Sequence, residues 1–211
     1  MSGSEGQIAP VRKGLLVSVS GPSGVGKGTV IDRVREKIPD IAHSVSVTSR
    51  PRREKETEGV DYFFKTKEEF KQMMAEGEIL EYDMYLNNYY GTPITPLLKL
   101  IGEGRDVLFD LTVIGSLALK EKFPETVTIF LLPPSMSDLR ERLVRRGTET
   151  MDVIERRLLK ASVEIPKADL FDYAVINDQL DPASDRIIAI IEAEKHRYCR
   201  QIGIEDRILN G

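Results

Sequence analysis

The stretch Leu15–Thr29, LLVSVSGPSGVGKGT, decides the fold. Its apolar run Leu15–Ser20 predicts a buried strand, and the glycine-rich turn Gly21–Gly28 predicts a tight loop directly after it. A helix is predicted next, because apolar residues recur there at helical spacing: Val30, Ile31, Val34 and Ile38. Strand, tight loop and helix together are typical of the opening unit of an α/β fold.

Three further apolar runs predict core strands, and helical patterns separate them. The strands are expected at Asp106–Thr112, Val127–Leu132 and Tyr173–Asn177. Such continuous apolar runs are typical of a parallel sheet covered by helices on both faces, so the core is predicted to have three layers. The helices are expected at Pro96–Glu103, Ile114–Lys122, Ser135–Gly147, Asp152–Glu164 and about Pro182–Gln201.

One region, residues 44–90, departs from this alternation. It contains three strand-like, more polar segments, SVSVT, VDYFF and EILEYDMY, and one short helix predicted at Lys67–Glu76. Thr66 and Glu69 have the spacing of a capping box at the start of that helix, and Gly77 ends it. The pattern indicates a small, mostly β lobe inserted between the first helix and the next core strand.

Composition and charge exclude several classes of function. The 211 residues contain 30 Lys and Arg against 34 Asp and Glu, and this net charge of −4 argues against a nucleic-acid-binding protein. A single cysteine, Cys199, excludes an intramolecular disulfide, and His43 and His196 lie too far apart to form a metal site. We interpret these three residues as structural or surface groups. No signal peptide or membrane span is apparent, so a cytoplasmic protein with no membrane partner is expected.

The glycine-rich loop predicts a nucleotide-binding site. A polyphosphate needs many inward-pointing N–H donors, and only residues without side chains let the backbone approach it closely enough. Lys27, at the start of the helix, is placed to reach the β- and γ-phosphates. Gly28 stands where a serine or threonine usually follows this lysine, so Thr29 or water is expected to serve the metal instead. The predicted ATP-binding residues are Gly21, Pro22, Ser23, Gly24, Val25, Gly26, Lys27, Gly28 and Thr29.

A second anion site is indicated by the segment SVSVTSRPRR at Ser44–Arg53. Arg50 and Arg53 could hold a phosphate through their guanidinium groups, with the Ser46 hydroxyl just upstream. Taken in isolation, Arg52 and Arg53 are better interpreted as ordinary solvated charges ahead of the acidic stretch Glu54–Glu58. Tyrosine and threonine hydroxyls further along the chain would suit a rigidly held phosphate monoester.

Taken together, these segments resemble the guanylate kinases. The resemblance covers about residues 14–198 and includes, in order, the glycine-rich loop, SVSVTSRPRR, Gly59-Val-Asp-Tyr-Phe-Phe, Ile79-Leu-Glu-Tyr, Asn88-Tyr-Tyr-Gly-Thr and Arg146-Gly-Thr-Glu-Thr. It implies phosphoryl transfer from ATP to GMP, a reaction of purine nucleotide metabolism, with Mg²⁺ accompanying ATP. It also implies a P-loop core at 14–43, 91–134 and 165–211, a GMP-binding lobe at 44–90, a lid at 135–164 and a flexible tail at 1–13.

The resemblance also assigns acceptor-binding roles. The residues expected to bind the phosphate of GMP are Ser46, Arg50, Arg53, Tyr62 and Tyr90. Glu81 is expected to accept hydrogen bonds from the guanine N1–H and amino group, with Thr92 beside the base. Without the resemblance, Glu81 would be interpreted as a solvent-facing strand residue.

Two positions depart from the family pattern Asp-x-Asp-x-Gln-Gly, which here reads Asp110-Leu-Thr-Val-Ile-Gly115. Thr112 replaces an acidic residue that helps to bind the guanine amino group, and Ile114 replaces a glutamine. On a strand Asp110 and Thr112 would point the same way. A neutral hydrogen bond is weaker than a charged one, so we expect weaker or less selective guanine recognition. The proline of TSRPRR is also shifted by one place, which leaves the conformation of that loop open.

For the chemistry, the resemblance implies that Arg142, Arg146 and Arg157 are lid arginines that stabilise the transferring phosphoryl group. An alternative is a solvated helical surface on which arginines alternate with glutamates. Asp110 is the candidate for ordering a magnesium-bound water or Lys27, and Asn177 and Asp178 resemble the stretch near the adenine. No general base is needed, because the acceptor phosphate is already an anionic nucleophile.

Three other functions remain open on the sequence alone. The first is a P-loop kinase for another nucleoside monophosphate or a ribose phosphate, which Thr112 and Ile114 leave possible. The second is a non-catalytic interaction module, although a degraded loop would be expected there. The third is a regulatory GTPase, which the chain supports least because it has no Asn-Lys-x-Asp motif. The sequence does not indicate an oligomeric state.

Overall fold

The computed structural model describes residues 14–85, 87–147, 150–201 and 203–210. The flexible tail predicted at residues 1–13 lies outside the described residues, as do Thr148 and Glu149 of the Arg146-Gly-Thr-Glu-Thr motif. Within the described ranges, no helix is both long enough and apolar enough to cross a membrane.

The central sheet has five parallel strands in the order β2-β7-β1-β8-β9. These strands are β1 (Leu16–Ser20), β2 (Ala42–His43), β7 (Val107–Asp110), β8 (Val127–Leu132) and β9 (Tyr173–Ile176). Successive residues of the central strand β1 point to opposite faces, and both faces are apolar. Val17 and Val19 pack on one side of the sheet, whereas Leu16 packs on the other.

Helices cover both faces, which confirms the predicted three-layer α/β core. On one face Ile31 of α1 (Lys27–Lys37) and Ile187 of α7 (Leu180–Lys195) join the strand residues in one buried cluster. On the other face Leu97 of α3 (Ile94–Gly102) and Leu119 of α4 (Val113–Lys122) pack against Phe109.

The chain inserts a second sheet of four strands between β2 and β7 of the central sheet. The order of its strands is β4-β3-β6-β5. Its strands are β3 (Val47–Thr48), β4 (Phe63–Phe64), β5 (Ile79–Tyr85) and β6 (Asn88–Pro93), and its helix is α2 (Lys67–Ala75). The capping box predicted for this helix is present: Thr66 Oγ1 accepts from the Glu69 N–H at 3.1 Å, and the Glu69 carboxylate accepts from the Thr66 N–H at 2.6 Å. The buried ring of Phe70 fixes the helix against β6, where it stacks on Tyr89 at 5.1 Å.

Two helices form the region predicted as a lid: α5 (Met136–Arg145) and α6 (Met151–Glu164). Ser135 caps α5, because its Oγ accepts from the Asp138 N–H at 3.0 Å. The two helices bury a small apolar cluster of their own, which includes Leu139, Leu143 and Leu158. They therefore pack as a pair with a separate core.

The chain ends differently from the sequence prediction. The last predicted helix was one segment to Gln201, but α7 stops at Lys195 and is followed by 3₁₀ turns and a short α8 (Ile204–Asn210). An earlier 3₁₀ segment, Ile165–Leu170, joins α6 to β9.

Candidate active site

The glycine-rich loop between β1 and α1 forms one wall of a cavity of about 390 Å³. Gly24 and Gly26 adopt φ values of 91° and 95°, in the left-handed region that favours glycine. A side chain at Gly24 would also collide with Leu143, 2.7 Å from a built Cβ. The lining residues contributed by the loop are Gly21, Pro22, Ser23, Gly24, Val25, Gly26, Lys27 and Gly28.

Lys27 is held at the floor of this cavity, where β7 ends. Its Nζ donates to the Leu111 carbonyl oxygen at 2.5 Å and forms an ion pair with the Asp110 carboxylate. The lysine side chain is 20% exposed and that of Asp110 is 37% exposed, so both reach the cavity. Asp110 therefore positions the charge of Lys27 at the mouth of the loop.

The backbone of the glycine-rich loop is also held by hydrogen bonds from α5 and from the residue that follows β9. The Val25 carbonyl accepts from Arg142 Nη1 at 3.2 Å and from Asn177 Nδ2 at 2.8 Å. Arg142 Nη2 donates in turn to the Asn177 carbonyl at 2.7 Å. Helix α5 and the end of β9 thus fix the backbone of the loop through buried polar contacts.

The opposite wall of the same cavity comes from the inserted lobe. Ser46, Tyr62 and Tyr90, three of the residues predicted to bind the acceptor phosphate, line it. The two tyrosine rings are 6.0 Å apart in an edge-to-face arrangement. Burial raises the pKa of Tyr62, so the phenol stays a hydrogen-bond donor at neutral pH.

The two arginines predicted to bind the acceptor phosphate are organised by Glu56. Arg50 Nη2 donates to Glu56 Oε1 at 2.6 Å, and the Arg53 backbone N–H donates to Glu56 Oε2 at 2.8 Å. This contact lowers the pKa of Glu56 and raises that of Arg50. The Arg50 guanidinium also lies over the Tyr62 ring, 5.5 Å from its centre. Neither arginine is among the described lining residues of the cavity, and Arg53 is exposed.

Glu81 and Thr92 face each other across β5 and β6. Thr92 Oγ1 donates to Glu81 Oε1 at 2.7 Å, and both residues are buried. Burial raises the pKa of Glu81, while the bond from Thr92 opposes that rise. The other carboxylate oxygen, Oε2, lies against Gly115 near the start of α4, where an added Cβ would come within 2.5 Å.

Thr112 lies outside the strand to which the sequence assigned it, so the shared-face argument with Asp110 was wrong. Strand β7 ends at Asp110, and Thr112 is the N-cap of α4, its Oγ1 accepting from the Gly115 N–H at 3.2 Å. Both residues still line the cavity. Capping satisfies one helix N–H and occupies part of the accepting capacity of Thr112.

The three predicted lid arginines are in different positions. Arg146 lines both the main cavity and a second one of about 310 Å³, which lies between the loop, α5 and the end of β9. Arg142 lines only the second of the two cavities, and its guanidinium group donates to the backbone carbonyls of Val25 and Asn177. Arg157, on α6, is not among the described residues that line either one.

The second cavity also contains the residues predicted near the adenine, Asn177 and Asp178. Thr29, predicted as a metal ligand, lines this second cavity and is exposed, whereas Asp110 lines the main one. Within the described ranges, no group of three or more His, Cys, Asp or Glu side chains is arranged to hold a metal ion.

Several cavity residues were not predicted from the sequence: His43, Asp61, Asp83, Lys160 and Glu164. His43, which we interpret as a structural or surface residue, lies on β2 and lines the cavity, and burial lowers its pKa. Cys199 and His196 are exposed, as expected. Isolated acidic and basic residues give no sequence signal at these positions; only the packing of β2, β5, α6 and the segment before β4 around the cavity reveals them.

A glycine-rich loop with an anchored lysine faces hydroxyl-bearing residues of an inserted lobe across one cavity, an arrangement typical of a P-loop nucleoside monophosphate kinase. Comparisons with known proteins narrow this class. The family model "Guanylate kinase" matches residues 13–194. The chain is 48% identical to the guanylate kinase of Oceanobacillus iheyensis, over 86% of this chain and 88% of that one. It is 47% identical to the guanylate kinase of Lactococcus lactis, over 90% and 93% of the two chains.

A solved structure agrees with these matches. The crystal structure of guanylate kinase from Anaplasma phagocytophilum aligns with a TM-score of 0.74 at 33% identity, covering 92% of this chain and 93% of that one. The chain belongs to the guanylate kinase family, which confirms the resemblance inferred from the motifs.

Proposed function

We propose that the chain, an enzyme of the guanylate kinase family, phosphorylates GMP to GDP with ATP as donor, using the cavity between the glycine loop and the inserted lobe. One observation carries the proposal: a single cavity is lined at one end by Gly21–Gly28 and at the other by Ser46, Tyr62 and Tyr90. Two anion sites that share one cavity can hold donor and acceptor phosphates end to end, and such positioning is the main requirement of phosphoryl transfer.

The donor is bound by the loop. Its backbone N–H groups and the N-terminus of α1 surround the ATP phosphates, and Lys27, oriented by Asp110, binds the terminal ones. The nucleoside of ATP extends into the second cavity, beside Asn177 and Asp178. Arg142 acts here by fixing the loop through Val25, since its guanidinium donates to that carbonyl.

The acceptor is bound by the inserted lobe. Arg50, Arg53, Ser46, Tyr62 and Tyr90 bind the phosphate of GMP, and Arg50 exchanges part of its contact with Glu56 for the phosphate. The guanine base lies toward Glu81 and Thr92. Thr112 contributes one neutral contact at most, because its hydroxyl also caps α4.

The reaction forms a bond between a phosphate oxygen of GMP and the γ-phosphorus. It breaks the bond from that phosphorus to the bridging oxygen, and ADP leaves with the electron pair. Arg146, which reaches both cavities, and Arg157, once α6 closes, stabilise the charge of the transferring group. Mg²⁺, the divalent cation proposed to accompany ATP, would neutralise phosphate charge. Asp110, in the main cavity, would accept hydrogen bonds from the water ligands of Mg²⁺, and Thr29, in the second cavity, is the other residue proposed to hold the ion.

The division of the chain proposed from the sequence fits this mechanism. The proposed core is 14–43, 91–134 and 165–211, the acceptor lobe 44–90 and the lid 135–164, except that residues 91–93 complete β6 and so belong to the sheet of the lobe. Closure of the lid and lobe would exclude water, so that ATP is not simply hydrolysed. We place the reaction in the cytoplasm, where both nucleotides are available.

A panel of acceptors tests this proposal. ADP release is measured with ATP and GMP, AMP, UMP or CMP, and GMP is expected to give the highest kcat/KM. Lys27→Ala should lower kcat at least about 100-fold while the circular dichroism spectrum stays unchanged. Lys37→Ala, on the same helix but paired with Asp185 outside both cavities, should retain full turnover. Faster turnover with another nucleotide, or an active Lys27→Ala variant, would refute the proposal.

A further inference from the structure

Asp83 is a half-buried carboxylate that lines the main cavity and has no role in the proposed mechanism. It lies on β5, two residues after Glu81, and therefore on the same face of the strand. The two carboxyl groups are close enough for the charge of Asp83 to contribute to the raised pKa of Glu81. A carboxylate in this position would be stabilised by a ligand group that donates hydrogen bonds to it.

The strand register shows where Asp83 stands along the bound acceptor. On one cross-strand row, Glu81 is bonded to Thr92, which marks the base end. Asp83 is paired with Tyr90 two residues further along β5, beyond the Tyr82–Gly91 pair and about 7 Å away at the usual strand rise. Tyr90 in turn contacts Tyr62, which marks the phosphate end. Because the tyrosine side chain is long and reaches the ring of Tyr62, whereas the aspartate side chain is short, we infer that the Asp83 carboxylate lies between Glu81, at the base end, and the Tyr62–Tyr90 ring pair, at the phosphate end.

The part of the nucleotide that joins base to phosphate is the sugar. Ribose offers two neighbouring hydroxyl donors, and a carboxylate accepts such donors well. Asp83 Oδ1 accepts from the Met84 N–H at 2.7 Å, which orients the group. Within the described part of the chain, Oδ2 has no hydrogen-bond partner, so it can accept from a ligand.

We propose that Asp83 binds the ribose hydroxyl groups of the acceptor and makes the enzyme select ribonucleotides over deoxyribonucleotides. This inference rests on the proposed function, because it needs the base and phosphate of the acceptor at the two ends given above. The inference assigns a residue to the recognition of the sugar, the part of the acceptor for which the sequence motifs indicate no binding residue.

The experiment compares kcat/KM for GMP, dGMP and IMP in the wild type, Asp83→Ala and Asp83→Asn. The wild type should prefer GMP over dGMP by about 10-fold or more, the effect of one charged hydrogen bond. Asp83→Ala should lower the value for GMP to near that for dGMP and change the dGMP value less than about threefold. Asp83→Asn should fall between the two. Glu78→Ala, which removes an exposed carboxylate just before the same strand, should keep the wild-type ratio.

The outcomes separate the inference from the proposed function. If the wild type does not phosphorylate GMP, the proposed function fails. If it phosphorylates GMP and dGMP equally well, or if Asp83→Ala loses activity equally on both, the inference fails alone. If the variant instead loses only its discrimination between GMP and IMP, Asp83 contacts the base amino group and the sugar assignment is overturned.

Discussion

Breaking the buried hydrogen bond between Thr92 and Glu81 should lower the stability of the protein by an amount that depends on pH. Thr92→Val keeps the shape of the side chain but removes the hydroxyl that donates to Glu81 Oε1 at 2.7 Å. Losing a donor to a buried charged group costs about 1.5–3 kcal/mol, whereas losing one to a neutral group costs about 0.5–1.5 kcal/mol. The loss of stability should therefore depend on whether Glu81 is ionised.

The direction follows from the pKa of Glu81. Burial raises this pKa above its usual 4.5, so the folded protein binds the proton more tightly than the unfolded chain, and ionisation destabilises the fold as pH rises past 4.5. The Thr92 bond lowers the pKa, so its removal raises the pKa further. The penalty of Thr92→Val should be small at pH 5, grow with pH, and be complete above the pKa of the variant.

Urea denaturation at pH 5 and pH 8 measures this difference. The matched control is Thr126→Val, because the buried Thr126 Oγ1 has no hydrogen-bond partner among the residues that the structure describes. Its removal should leave stability equal or higher at both pH values. Equal losses for Thr92→Val at pH 5 and pH 8 would show that the pair acts through packing and would refute the electrostatic argument. The KM for GMP should rise in the same variant, since Glu81 is then less often ionised.

Two further predictions concern the loop and the lid. Gly24→Ala should destabilise the protein by about 1–3 kcal/mol and raise the KM for ATP, because of its positive φ and the collision with Leu143; thermal unfolding and kinetics measure both. Gly102→Ala, in α3 with open space around it, should instead stabilise by about 0.5–1 kcal/mol. Arg146→Ala should lower kcat at least about 10-fold more than Arg145→Ala, because Arg146 alone of these two lines the main cavity. Equal kinetics for the two arginine variants would contradict the role given to Arg146.

The sequence predicted the parts of the fold that have strong local signals. Strand β8 was predicted at its observed bounds, Val127–Leu132, because a strand buried on both faces is a continuous apolar run. Strand β2, Ala42–His43, was missed because two residues carry no periodicity, although it forms an edge of the central sheet. Strand β6 was quoted only as a motif, since its polar aromatic residues pair with β3 and β5 without an alternating pattern.

The candidate site was predictable where backbone chemistry fixes the residue type. Glycines and a lysine in a tight loop indicate an anion site directly. The bond from Thr92 to Glu81 and the position of Asp83 in the cavity depend on the pairing of β5 with β6, which no single residue reveals. The cap role of Thr112 was missed because the apolar run was extended past the end of β7.

The bracing of Val25 has a consequence for how the enzyme matures during its synthesis. The amide that holds this carbonyl belongs to Asn177, 152 positions further along the chain. Chains fold from the N-terminus as they leave the ribosome, yet this contact cannot form until the residue after β9, the last strand that the structure describes, has been made. A nascent chain that stops short of Asn177 would have every glycine of its donor site but only one of the two side chains, Arg142, that hold the Val25 carbonyl.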